Sequence, residues 1–305
     1  MRTAILGSKG LVGESLSRTL PSIELALSRK DLDVSDTNQL CKILRYNQID
    51  TVINCAAYVG GIELNRSRPY DMYLRNIQIS QSVLTASIQS GISDLVQFCS
   101  NCAYPITAQQ PYKESSLFEG LPHKLNRGYA AAKITAVHAG QAAESQKLIR
   151  VYHPIPCSLF GFHDNYNTSE SHFIPAAIRK IFDAVRENAH SIRFWGTGRP
   201  FREFMFADNL GSAIMIILDN RLSYNPINIG SGLDTPINNI VSHISSRAGY
   251  LGDVTWDRSK PDGVMHKLLD SGYIYSHGWS PPCDLYDSLN ATCDFYLQNM
   301  SQLRL

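Results

Sequence analysis

The 305-residue sequence has almost no excess of charge. Lys and Arg number 28 and Asp and Glu 27, a formal net charge of +1, which excludes the broad basic field that grips nucleic acid through its phosphates. Long apolar runs are missing as well. No stretch approaches the ~18 residues that a membrane-spanning helix needs. Met1 leads almost at once into Thr3-Ala4-Ile5-Leu6-Gly7, with no charged segment ahead of a long apolar one. Neither a signal peptide nor a membrane partner is expected, and the reading is a soluble, cytoplasmic protein. Internal repeats and low-complexity segments are absent. The seven cysteines are odd in number and scattered, several inside apolar runs such as Val52-Ile53-Asn54-Cys55, so a disulfide framework is not expected. Cys99-x-x-Cys102 has no second such pair or His-rich motif beside it, and no metal site is expected.

What is present is apolar residue at 44% against 18% charged, enough for one large core or a main domain with a smaller attachment. Short runs rich in Val, Ile and Leu at 2–7, 23–28, 51–57, 93–100 and 148–154 alternate with amphipathic stretches at 10–20, 36–46 and 70–90. Runs of that kind suit strands buried on both faces of a parallel sheet. The alternation predicts an α/β fold, a doubly wound parallel Rossmann sheet. After about Phe160 the rhythm changes. A polar loop at 161–171 feeds a helix at 172–188, followed by short runs at 191–195, 202–206, 226–229 and 254–257 and helices near 208–219 and 236–248. The expected division is a dinucleotide-binding domain over 1–160, with return segments from about 202–230, and a smaller C-terminal α/β substrate lobe over 161–305. The chemistry is expected in the cleft between them.

Gly7-Ser8-Lys9-Gly10-Leu11-Val12-Gly13 follows the first strand and opens the first helix. Gly7 permits the tight turn, Gly10 lets backbone approach a pyrophosphate, and Gly13 lets helix pack closely on strand. The second strand ends in Ser28-Arg29-Lys30, where NAD sites carry an acid for the ribose 2′-hydroxyl. Cations at Arg29 and Lys30 suit a 2′-phosphate, so the cofactor expected is NADP(H), the bland alternative being a solvated loop. Lys9 adds positive charge near the phosphates.

Gly128-Tyr129-Ala130-Ala131-Ala132-Lys133 sets Tyr129 and Lys133 four residues apart on one helical face. A phenol can protonate a carbonyl oxygen as hydride arrives, and a nearby ammonium is expected to ease its ionisation from the usual ~10. Ser100, at the end of the fourth strand, can hydrogen-bond the same carbonyl.

At these residues the chain resembles the extended short-chain dehydrogenase/reductase superfamily, which joins a GxxGxxG turn, a Ser and Tyr-x3-Lys in this order. Within it the chain is similar to the GDP-L-fucose synthase family of GDP-4-keto-6-deoxymannose epimerase-reductases over nearly its full length. The strings that carry the likeness are Val59-Gly60-Gly61-Ile62, Cys102-Ala103-Tyr104-Pro105, Gly161 to Asn165, Ser171-His172-Phe173-Ile174-Pro175, Trp195-Gly196-Thr197-Gly198, Arg202-Glu203-Phe204 and Lys260-Pro261-Asp262-Gly263. The resemblance implies epimerisation at C3 and C5 of a 4-keto-6-deoxy sugar, with Cys102 and His172 as the acid/base pair. Reduction at C4 by NADPH would follow, with Tyr129 as proton donor. A free thiol near ~8.5 and a free imidazole near ~6.5 suit such exchange at neutral pH. The resemblance further implies a GDP-sugar held by Asn165, Lys180, Trp195, Arg202 and Lys267, and a homodimer through helices beside the Tyr129 helix. Ser158, Phe162 and Tyr58 depart from the family pattern, as do Cys99 and Asn101. A related GDP-ketosugar of colitose or heptose type is therefore the alternative substrate, and a redox sensor the alternative of another class.

Overall fold

The computed structural model describes residues 1–168 and 170–303. In chain order the main elements are β1 (Thr3–Leu6), α1 (Leu11–Thr19), β2 (Leu25–Leu27), α2 (Thr37–Tyr46), β3 (Thr51–Asn54), α3 (Ile62–Ser67), α4 (Pro69–Gln89), β4 (Asp94–Gln97), α5 (Arg127–Ser145), β5 (Arg150–Tyr152), β6 (Pro154–Pro156) and β7 (Ser158–Phe160). They continue with α6 (Phe173–Arg186), β8 (Ser191–Trp195), β9 (Phe201–Phe206), α7 (Asn209–Asp219), β10 (Ile227–Ile229), β11 (Asp234–Pro236), α8 (Ile237–Ala248), β12 (Asp253–Asp257), α9 (Gly272–Ser276) and α10 (Leu285–Asn299).

Five strands form a wholly parallel sheet in the order β2-β1-β3-β4-β5. Every residue of β1 and β3 is buried, as it must be when helices cover both faces of a parallel sheet. One apolar layer joins Ala4, Leu6, Leu40, Leu44, Val52, Val83 and Val151. The other joins Ile5, Leu16, Ile53, Val96, Val137 and Tyr152 to Leu210, Ile214 and Ile229. The doubly wound Rossmann-type sheet expected from the alternation of runs is what the chain forms.

Past β5 the chain stays extended but changes partner at His153. Its Nδ1 lies 2.9 Å from the Gln97 carbonyl oxygen, and from there β6 runs parallel to β10. A third sheet, β11-β9-β7, and a pair, β12-β8, follow. A separate aromatic-rich cluster of Phe160, Tyr166, Phe182, Phe194, Phe204, Phe206 and Tyr296 binds α6, α8 and α10 to these strands. α10 falls where the sequence reading placed no element; it starts on Asp284, whose carboxylate accepts the backbone N–H of Tyr286 and of Asp287. Among the described residues no helix is long and apolar enough to cross a membrane.

Candidate active site

The turn after β1 is drawn tight by two hydrogen bonds to one acceptor: the amides of Gly7 and Ser8 both donate to the Leu27 carbonyl, at 2.8 and 2.9 Å. Gly7 has φ +79°, and a Cβ there would sit 2.6 Å from the Ala56 nitrogen. A Cβ on Gly13 would lie 2.2 Å from the Gly7 carbonyl oxygen, so α1 starts almost in contact with the turn. Gly10 caps α1 without a side-chain acceptor, which leaves the first-turn amides of Leu11, Val12 and Gly13 free to meet an anion. Lys9 is tied to Glu14 at 2.8 Å. At the end of β2, Asp31 turns back onto Ser28 and accepts from its amide at 2.8 Å and its hydroxyl at 2.6 Å. The nearest acid is thereby used up in the turn, and Arg29 and Lys30 stand exposed beside it. This cradle fits a dinucleotide whose ribose carries a 2′-phosphate.

The reacting groups gather at the C-terminal end of the sheet. β4 runs out into a single 3-10 turn, 101–103, capped by Ser100, whose hydroxyl accepts the Cys102 amide at 3.2 Å. Opposite, α5 presents Tyr129 and Lys133 on one face, with the Lys133 ammonium 5.7 Å from the Tyr129 ring centre. Lys133 donates to the Phe98 carbonyl oxygen at 2.9 Å. The expected easing of the phenol is not what the structure shows. Loss of hydration pushes the Tyr129 phenol well above its ordinary value, the sulfurs of Cys102 and Cys99 add to that, and a hydrogen bond with Ser100 pulls it back only in part. Burial likewise holds the Lys133 ammonium below its usual range. The cation is engaged with a backbone carbonyl, and desolvation of both groups outweighs their attraction. Burial thus favours the protonated form of the Tyr129 phenol.

Cys102 is half-buried, its Sγ 3.4 Å from the Lys267 ammonium and 3.6 Å from the Asn101 side-chain oxygen. His172 caps the N-terminus of α6. Its ring keeps an open side, yet loss of hydration and, after it, the Lys267 charge hold its proton affinity below the ordinary histidine value. Lys267 therefore acts on both members of the expected acid/base pair. The loop before α6 is anchored across the molecule: the Gly61 amide donates to the Glu170 carbonyl at 2.7 Å, and a Cβ on Gly61 would meet the Ser171 carbonyl oxygen at 2.8 Å.

The residues expected to hold the nucleotide end spread outward from there. Arg202 is half-buried on β9 and donates to the carbonyls of Phe201 at 2.7 Å and Asp262 at 3.4 Å. Burial lowers its proton affinity, which the nearby Tyr112, Asp262 and Cys102 partly restore. Lys180 on α6 donates to the Arg193 carbonyl and lies 4.9 Å from the Phe194 ring centre. Trp195, at the end of β8, is 63% exposed, an aromatic face with only the Lys260 ammonium over it at 5.5 Å. Asn165 lies farther along the 161–171 loop, where its side-chain oxygen accepts the Asn167 amide at 3.0 Å. Of the departures, Phe162 packs its ring on Phe206 and Phe295, Tyr58 lies under the Arg75 guanidinium, and Ser158 pairs with Phe204 between β7 and β9.

Two residues that carry the family likeness were given no role by the sequence. Glu203 is 1% exposed and accepts the amides of Gly232 at 2.8 Å and Leu269 at 2.9 Å. Loss of hydration pushes its carboxyl up to about 7 against the pull of those donors. The signal was an acid inside the apolar run Phe201–Phe206. Asp262 fixes the loop after β8, accepting the Thr197 amide at 2.6 Å and its hydroxyl at 2.7 Å.

A nucleotide cradle, a phenol and lysine on one helix face, and a thiol and imidazole sharing one cation define a Rossmann-type sugar-nucleotide enzyme site. The chain belongs to the NAD dependent epimerase/dehydratase family, whose model matches residues 3–230. Within that family it is similar to the putative GDP-L-fucose synthase 2 of Arabidopsis thaliana, at 33% identity over 302 residues covering 98% of this chain and 92% of that protein. It is equally similar to the GDP-L-fucose synthase of Escherichia coli (strain K12), at 33% over 316 residues covering 99% and 98%. Among solved structures, a GDP-6-OMe-4-keto-L-xylo-heptose reductase from C. jejuni superposes with a TM-score of 0.88 at 25% identity, over 97% of each chain.

Proposed function

We propose that this protein is an NADP(H)-dependent epimerase-reductase that converts GDP-4-keto-6-deoxy-D-mannose to GDP-L-fucose in the cytoplasm. The observation that carries the reading is the meeting of Ser100, Cys102, Tyr129, Lys267 and His172 at one end of the sheet, in a chain aligned almost end to end with two GDP-L-fucose synthases. In this division of labour residues 1–160, with 202–230 returning, hold the cofactor, and residues 161–305 hold the sugar nucleotide.

The Gly7–Gly13 turn and the amides of α1 would hold the pyrophosphate, and Arg29 the 2′-phosphate. Bound NADPH supplies a hydride. The 4-keto group acidifies the protons on C3 and C5; Cys102 and His172, from opposite elements, remove and return them. Each removal places the C–H electrons on the carbonyl oxygen, where Ser100 and Tyr129 stand as donors. Tyr129, held protonated by its desolvated setting, then gives its proton to O4 when C4 is reduced. Arg202 and Lys180 offer cationic donors to the diphosphate, and the open face of Trp195 offers a base a stacking surface.

The test is NADPH oxidation at 340 nm with the ketosugar nucleotide, run in deuterated water with the product read by NMR. Deuterium at both C3 and C5 of a fucose product is the expected result; reduction without exchange overturns the epimerase half. A second reading, a related GDP-ketosugar of heptose type, is favoured by the fold match to the heptose reductase and by Ser158, Phe162 and Tyr58. Supplying both sugars in competition separates the two. A homodimer through helices beside the Tyr129 helix belongs to the same reading, and light scattering checks it.

A further inference from the structure

The segment bearing Lys267 is strapped along both edges. On one side the Phe201 amide donates to the Met265 carbonyl at 2.7 Å and the Glu203 amide to the Lys267 carbonyl at 3.2 Å, while the Leu269 amide reaches the Glu203 carboxylate at 2.9 Å. On the other, the Tyr112 amide donates to the Leu268 carbonyl at 2.8 Å, the Asp270 amide to the Tyr112 carbonyl at 2.9 Å, and the Leu268 amide to the Gln110 side chain at 2.9 Å. Backbone fixed on two sides gives a flexible side chain a fixed origin, which lowers the entropy lost when its tip is held. The tip reaches Cys102 Sγ at 3.4 Å. Cys102 in turn sits in a turn capped by Ser100.

The other ionisable groups facing this sulfur are Cys99 on the strand end, Tyr129 on α5, Tyr112, and Arg202 on β9. Of these only Arg202 is cationic, and its guanidinium donates to the carbonyls of Phe201 and Asp262. Lys267 is the cation whose donor meets the sulfur. The family likeness makes it a ligand of the diphosphate; its geometry makes it a partner of the thiol.

We propose that Lys267 is a positioning residue for Cys102, its ammonium donating to Sγ so that the sulfur is aimed at the ketosugar ring. The role rests on the reading of Cys102 as acid/base. The thiolate takes a proton from carbon next to the ketone and becomes a thiol, the C–H electron pair becomes an enolate, and protonated His172 returns a proton on the opposite face. Solvent then takes the proton from sulfur and restores the one on imidazole, with no net oxidation or reduction.

The test reads the sulfur directly, without sugar nucleotide. The enzyme is treated with iodoacetamide at pH 7 and the rate of adduct formation on the Cys102 peptide is followed by mass spectrometry, with Cys102→Ser as the control. Lys267→Met is expected to slow that rate about tenfold, and Lys267→Arg to stay within about twofold of the parent. In turnover, Lys267→Met is expected to lower kcat for C3 and C5 exchange more than it raises KM. NADPH binding confirms that each variant is folded, and Lys267→Gln replaces the methionine variant if that one is not. An unchanged Cys102 rate in the methionine variant, or an equal fall in the arginine variant, overturns the proposal, as does a rise in KM alone, which would make Lys267 a phosphate ligand only. If Cys102→Ser retains exchange, the acid/base reading of Cys102 fails while the alkylation result stands by itself.

Discussion

The two ends of the site are built by opposite means. At the cofactor end the contacts come from backbone: amides of a glycine turn, an uncapped helix start, and carbonyls close enough that a Cβ on Gly13 would sit 2.2 Å from the Gly7 oxygen. At the end proposed to take the sugar nucleotide the groups are long side chains, Lys180, Trp195, Arg202 and Lys267, three of them anchored by donating to a backbone carbonyl or a sulfur. Backbone cannot vary with side-chain identity, so the first end is common to dinucleotide-binding sheets. Side chains can be exchanged one at a time, so on the proposed function the second end is the one free to vary with the sugar. The reacting groups stand between, Ser100 and Tyr129 on the first set of elements, His172 on the second.

That contrast can be broken most forcefully at Tyr129. Tyr129→Phe is expected to lower reduction about a thousandfold and to slow solvent exchange at C3 and C5 less, because Ser100 still donates to the carbonyl oxygen, both measured on one sample by absorbance and NMR; equal losses would contradict this split. Cys102→Ser is expected to act in the reverse sense, slowing exchange about a hundredfold and sparing reduction of a substrate already inverted at both centres. Gly13→Ala tests the backbone end, where the added methyl must push α1 from the turn. We expect a stability loss of about 1–3 kcal/mol by denaturant unfolding and at least tenfold weaker NADPH binding. Arg29→Ala sharpens it further, raising KM for NADPH about tenfold, about 1.4 kcal/mol, and leaving KM for NADH unchanged.

The smallest effect is on the pH profile of stability. His153, beside the main sheet, is held down to about 4 by burial. Between that value and the ordinary 6.5 the unfolded chain binds the extra proton, so this residue makes stability rise with pH across the window. Glu203, under the sugar end, is pushed up to about 7 from an ordinary 4.5. Here the folded chain binds the extra proton, and stability falls as pH climbs from about 4.5 to about 7. The slopes oppose one another, so Glu203→Gln is expected to steepen the rise of Tm with pH between 4.5 and 6.5 and His153→Asn to flatten it. Equal slopes in the two variants would contradict the assignment.

Legibility followed the same divide. The strands 51–54 and 94–97 could be read from their apolar centres, Val52-Ile53 and Leu95-Val96, and Gly7 and Gly13 because a Cβ at either would meet backbone. His172 and Cys102 could be singled out only through likeness to relatives, since a lone thiol and a lone imidazole carry no periodic signal. The approach of Lys267 to Cys102, across 165 positions of sequence, was beyond any local pattern. So was the engagement of Lys133 with the Phe98 carbonyl, which reverses the simple expectation for Tyr129. The helix at 285–299 was legible too, with Leu285, Leu289, Cys293 and Tyr296 at helical spacing behind the Asp284 cap, although the sequence reading placed no element there. Nothing local in the sequence marked Asp31; only the structure shows its carboxylate folded back onto Ser28.

The short bond from Gly61 to the Glu170 carbonyl ties the residue before α3 to the residues that present His172. A bulky replacement at Gly61 would press on the Ser171 carbonyl and tilt the imidazole away, far from either nicotinamide or phenol. On the proposed function such a chain would keep its capacity to oxidise NADPH and lose control of product handedness, a fault that absorbance alone does not register.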